Sequence, residues 1–117
     1  MTKKLNPTDY GLKPYATKVV TNDNGVVNFY LHDNWIAFVK PNGFWWITTQ
    51  GWNTQTTKDR LNAVLNFAKT GLRLFQKDKQ WYITDGTKTV KYLRVFTADD
   101  ARYHFGNVTQ KIQTLSN

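Results

Sequence analysis

The chain has no cysteine, no glutamate and a single serine, Ser116, next to its last residue. Without cysteine there is neither a disulfide framework nor a thiolate zinc site, so packing must hold the fold together. Nucleophilic catalysis of the Ser or Cys type has no candidate residue away from the chain end. The two histidines, His32 and His104, stand far apart, and neither has a second ligand at helical spacing. The eight acids are all Asp: Asp9, Asp23, Asp33, Asp78 and Asp85 fall in turn-like stretches, and Asp59, Asp99 and Asp100 fall near helix starts. Each place gives Asp a backbone or dipole role, so no catalytic carboxylate pair stands out. The glycines are isolated and form no phosphate-cradling loop. No run nears the roughly 20 apolar residues that span a bilayer, and Met1-Thr2-Lys3-Lys4 leads into no apolar signal core. These absences predict a non-enzymatic protein with no metal, no cofactor and no membrane partner.

What is present is charge of one sign and aromatic rings. Sixteen Lys and Arg against eight acids give a formal charge of +8, and 15% of the 117 residues are aromatic. The length suits one hydrophobic core. The charge favours polyanions, whether nucleic acid, acidic lipid or an acidic protein face.

Periodicity predicts a single α+β domain, mainly antiparallel hairpins in a β-β-β-α-β-β-β order around one central amphipathic helix. Residues 1–17, with Pro7, Gly11 and Pro14, read as an irregular arm, 18–97 as the core domain, and 98–117 as a polar tail. Strands are expected over 26–31, 35–39 and 44–49. The second and third are joined by Pro41-Asn42-Gly43, whose residue types suit a tight turn. Alternation puts Trp45, Ile47 and Thr49 on one face and Phe44, Trp46 and Thr48 on the other. Leu61, Val64, Leu65 and Ala68 recur at helical spacing, predicting a helix over 57–69 with Thr56 or Thr57 as its cap, Asp59 in its first turn and Gly71 at its end. Strands return over 72–76, 81–84 and 89–96, with turns at 77–80 and Asp85-Gly86, and Thr97 can cap a short helix around 99–103. Strands then a helix then strands is also the connectivity of an OB-fold. One internal echo stands out: Phe38-Val39-Lys40, a turn, then Trp45-Trp46-Ile47-Thr48 parallels Phe75-Gln76-Lys77, a turn, then Trp81-Tyr82-Ile83-Thr84.

The stretch from Gly51-Trp52-Asn53-Thr54 through Lys58-Asp59-Arg60-Leu61-Asn62, between an aromatic hairpin and an apolar helix, resembles small uncharacterised proteins of tailed bacteriophages. These share a Gly-aromatic-x-Thr-x-Thr-Thr-Lys-x-Arg-x-Asn segment, and the likeness covers residues 30–84. It implies a phage protein acting in the cytoplasm of a bacterial host, and it brings no catalytic or binding residue with it.

Aromatic platforms edged by cations are what single-stranded nucleic-acid binders use. Trp45, Trp52 and Trp81 are the expected stacking residues. Lys58, Arg60, Arg73, Lys77, Lys91 and Arg94 are the expected anion-binding residues, Lys58 and Arg60 through their place at a helix start. The expected function is DNA or RNA binding through a basic surface. The alternative is binding and inhibition of an acidic host protein, such as a polymerase or defence complex, since Trp, Tyr and Arg also dominate protein interfaces.

Overall fold

Short turns lay most strands side by side in chain order. The computed structural model describes residues 2–106. In chain order they form β1 (Lys3–Leu5), β2 (Thr17–Thr21), β3 (Val27–Leu31), β4 (Asn34–Val39), β5 (Trp45–Thr48), α1 (Gln55–Phe67), β6 (Arg73–Lys77), β7 (Gln80–Thr84), β8 (Thr89–Lys91), β9 (Val95–Thr97) and α2 (Ala98–Phe105). Two antiparallel sheets result, one of order β1-β2-β3-β4-β5-β9 and one of order β6-β7-β8. The expected α+β, mainly antiparallel class is the one that forms. The strands do not close into the five-stranded barrel of an OB-fold, because β6–β8 pair only among themselves.

Turn chemistry sets the registers. His32 and Asp33, at φ 50° and 64°, make the two-residue link from β3 to β4, and Asp78 and Lys79, at φ 52° and 68°, do the same between β6 and β7. Positive φ at both central positions is what a hairpin of this length needs to match strand twist. Between β4 and β5, the Lys40 carbonyl accepts from Gly43 N–H at 2.9 Å and Lys40 N–H donates to the Phe44 carbonyl at 2.8 Å. Asp85 and Gly86 open a longer turn, in which Asp85 Oδ1 accepts from the Thr87 and Lys88 N–H groups at 2.8 and 2.7 Å.

The run Trp35-Ile36-Ala37 contains a β-bulge. Phe29 pairs with Ala37 and Tyr30 with Trp35, leaving Ile36 as the extra residue. The bulge lets the consecutive Ile36 and Ala37 both enter the core, and it turns Trp35 outward. The inner face of the large sheet, with Val19, Phe29, Ala37 and Ile47, packs with Leu61, Val64 and Leu65 of α1 and with Leu74, Trp81 and Ile83 of the small sheet in one core. Asn62 ties α1 to the small sheet: its amide accepts from Leu74 N–H at 2.7 Å and donates to the Leu74 carbonyl at 3.0 Å. A side chain thus occupies part of the free edge of β6.

Several local expectations need correction. The stretch expected as an irregular arm, 1–17, is part of the fold over its described residues 2–17. β1 pairs with β2, Asn6 caps a 3-10 turn over Pro7–Tyr10, and Leu12 is a core residue. A three-residue strand is too short to show a period. Helix α1 starts earlier than expected, capped by Thr54, whose hydroxyl accepts from Thr57 N–H at 3.1 Å. It ends at Ala68, followed by Lys69 at φ 55°, ahead of Gly71. The expected strand 89–96 breaks into β8 and β9. Tyr92 turns into the core between Trp81 and Phe96, at ring distances of 6.0 and 6.4 Å, and the chain passes from one sheet to the other. The short helix near 99–103 forms as α2, with a Thr97/Asp100 capping box, and it buries Ala101 and Phe105 rather than trailing as a polar tail. The rest of the expected tail, 107–117, lies outside the described residues.

Candidate functional site

Register decides which aromatics face outward. Trp45 and Trp81, two of the three expected stacking residues, are each only 4% exposed and belong to the core. In both hairpins the pattern Trp-aromatic-Ile-Thr turns Trp and Ile inward and the second aromatic outward. The internal echo is therefore structural. Trp46 pairs across strands with Phe38, rings stacked at 5.4 Å and 19°. Tyr82 pairs with Phe75, rings stacked at 5.4 Å and 23°.

On the large sheet the Phe38/Trp46 pair extends into a wider cluster that sequence reasoning missed. Trp35, 40% exposed, packs at 5.7 Å from Phe38 and 4.8 Å from Trp46, and its indole N–H donates to Asn28 Oδ1 at 3.1 Å. Phe44 lies 6.1 Å from Phe38, and Tyr30 is the cross-strand partner of Trp35. Two lysines edge the cluster. Lys18 Nζ stands 4.8 Å from the Tyr30 ring, and Lys40 Nζ stands 5.4 and 5.8 Å from Phe44 and Phe38. Lys4, opposite Val20, shares this face by register. The signal was present in the sequence as alternation around Trp46, but the bulge at Ile36 hid the phase of β4.

The outward face of the small sheet repeats the theme with the expected cations. Arg73 lies 5.5 Å over the Phe75 ring, Lys91 pairs across from Tyr82, and Lys77 continues the β6 row. All three are exposed. Among the described residues the nine strands carry six Lys or Arg and no acid, because every Asp sits in a turn or helix.

The helix-start site does not form as expected. Arg60 is 3% exposed and fully engaged: its guanidinium donates to Asp59 at 2.6 Å, to Thr17 Oγ1 at 2.8 Å and to the Tyr15 carbonyl at 3.2 Å. It clamps α1 to the segment before β2. Asp59 accordingly serves Arg60, not the helix dipole. Lys58 is half-buried, its Nζ 5.9 Å from the Trp81 ring. Arg94 is exposed at the crossover between sheets, where its backbone carbonyl accepts from Thr49 N–H at 3.1 Å and from the Tyr92 hydroxyl at 2.8 Å. Burial raises the Tyr92 phenol above the usual tyrosine range. Trp52, the third expected stacking residue, is 59% exposed and walls an open cavity of about 340 Å³ beside the start of α1.

Among the described residues no group of His, Asp, Glu or Cys could hold a metal ion, and no helix is long and apolar enough to cross a membrane. Fold and surface together define a small antiparallel α+β domain that carries aromatic rings and cations on the outward faces of its sheets. The chain belongs to the bacteriophage family described as Kyanoviridae Gp96 protein, whose model matches residues 5–108. No curated protein and no solved structure matches it. The expected kinship with small phage proteins thus holds at the level of the family, over more of the chain than residues 30–84.

Proposed function

We propose that the chain binds single-stranded nucleic acid, DNA or RNA, along the outward faces of its two sheets, whose strands carry no acid although Asp33 of the β3–β4 turn lies 3.7 Å from Lys18. One observation carries the reading: the same cross-strand aromatic pair, edged by cations, is built twice, on strands that hold no carboxylate. Bases present π-faces and phosphates present charge, and a sheet that offers rings beside Lys and Arg meets both along one strand. On the large sheet Tyr30, Trp35, Phe38, Phe44 and Trp46 meet bases, and Lys18 and Lys40 meet phosphates. On the small sheet Phe75 and Tyr82 take the first role and Arg73, Lys77 and Lys91 the second. An aromatic cluster buried for stability alone needs no lysine edge, and cations kept for solubility alone need no ring beneath them.

The test is binding of labelled single-stranded DNA and RNA followed by anisotropy. Trp35→Ala and Tyr82→Ala, one in each hairpin and both outside the core, are each expected to weaken binding roughly tenfold. Lys40→Ala is expected to reduce the slope of log affinity against log salt by about 0.7. Absence of binding to either polymer at low salt, or unchanged affinity in both aromatic variants, overturns the reading.

A further inference from the structure

The cavity beside the start of α1 has features that the sheet faces do not explain. Its floor is apolar, made by the buried Leu31 and Ile36, and the exposed Trp52 forms a wall. His32, Asn34 and Thr56 bring polar groups to the lining. Among the described residues the Asn34 amide and the Thr56 hydroxyl make no hydrogen bond, although most neighbouring polar side chains are engaged. The Trp52 ring likewise has no aromatic or cationic partner there. No lining residue is acidic or basic apart from the His32 imidazole. Just outside, a Cβ added to Gly51 would meet the Arg94 guanidinium at 3.8 Å, so this cation lies over the residue that precedes Trp52.

Apolar floor, aromatic wall and free amide together describe the chemistry of the occupant. A flat ring suits Trp52. An amide offers a donor and an acceptor side by side, which matches the edge of a heterocycle better than that of a hydrocarbon. The absence of Asp and Lys from the lining suits a neutral group, and Arg94 outside suits an anion attached to it. The volume lies at the small end of ligand pockets. We propose that this cavity receives one nucleobase, its ring on Trp52 and its edge on Asn34 and Thr56, with the attached phosphate toward Arg94. The assignment rests on the nucleic-acid reading of the sheet faces and adds to it a site that takes a single base. Asn34 directly precedes Trp35 in β4, so the cavity and the aromatic cluster lie on the same strand.

The experiment follows the Trp52 indole N–H resonance, identified by its loss in Trp52→Phe, during titration with adenosine monophosphate and, separately, inorganic phosphate. Movement with the nucleotide and none with phosphate is the expected result. In the oligonucleotide assay Trp52→Ala is expected to weaken binding roughly tenfold, and the exposure of Trp52 leaves the core intact in that variant. A resonance unmoved by the nucleotide, or moved equally by phosphate alone, overturns the base site. The sheet-face reading is judged apart from this, by Trp35→Ala and Tyr82→Ala. A Trp52 response to the mononucleotide in a protein that binds no oligonucleotide sustains the cavity and removes only the sheet-face reading.

Discussion

Arg60 shows how burial redirects a charged residue. In the sequence it stands near a helix start and suggests an anion site, yet in the fold its donors are spent on Asp59, Thr17 and the Tyr15 carbonyl. Arg60→Ala is expected to destabilise the chain by about 2 kcal/mol, the worth of hydrogen bonds to a charged group, with Asp59 returned to water. Urea melts check this, and oligonucleotide affinity at a temperature where the variant is folded should not change. Tyr92 gives a second prediction at this scale. Its buried phenol ionises at higher pH than the same group in the unfolded chain. Stability from this group is therefore intact below about pH 10 and falls as pH rises beyond it, because the unfolded state loses its proton first. Tyr92→Phe should remove that part of the alkaline decline in melts run across this range. It should cost about 1 kcal/mol at neutral pH for the lost hydroxyl bond, since the Arg94 carbonyl keeps its bond from Thr49 N–H.

At the scale of elements, Asn62 joins helix α1 to the small sheet. It supplies a donor and an acceptor to Leu74 on the outer side of β6. Asn62→Ala should destabilise the fold by about 2 kcal/mol, and amide exchange at Leu74 should accelerate ahead of its neighbours. The elements also show what the sequence made legible. Helix α1 was readable because Leu61, Val64 and Leu65 keep a strict helical period, and the hairpins because their turns carry Asn-Gly and Asp-Gly. β2 escaped notice although Thr17-Lys18-Val19-Val20-Thr21 is rich in β-branched residues, since the prolines and glycine before it read as an arm. β8 and β9 merged into one because nothing local marks Tyr92 as a core residue. For the site, the cations Arg73, Lys77 and Lys91 were readable as strand-borne charge. Trp45 and Trp81, expected outside, are core residues, and Trp52 is exposed as expected; choosing between Trp45 and Trp46 requires knowing which side α1 covers.

Across the whole molecule, the described residues span 41 × 37 × 19 Å. Such a slab has room for one core layer, so the outward side chains of its sheets stay beside solvent. The acids are kept off these faces in one respect: the described strands carry six Lys or Arg and no Asp, while the remaining described cations share the turns and helices with the acids. A net +8 favours long-range attraction to polyanions, without by itself choosing a face.

The place of β9 has a consequence for how the chain folds. Ile47 waits for Phe96, and between them lie α1 and the entire small sheet. The large sheet can therefore be completed only after a long excursion has closed, and closing it is far cheaper once the intervening helix and hairpins have collapsed into a compact unit. Mutations in β6 and β7 should slow folding, whereas mutations in β9 should chiefly speed unfolding, as stopped-flow chevrons would record. The last strand of the sheet then acts as a latch, set after the rest of the molecule has already taken shape.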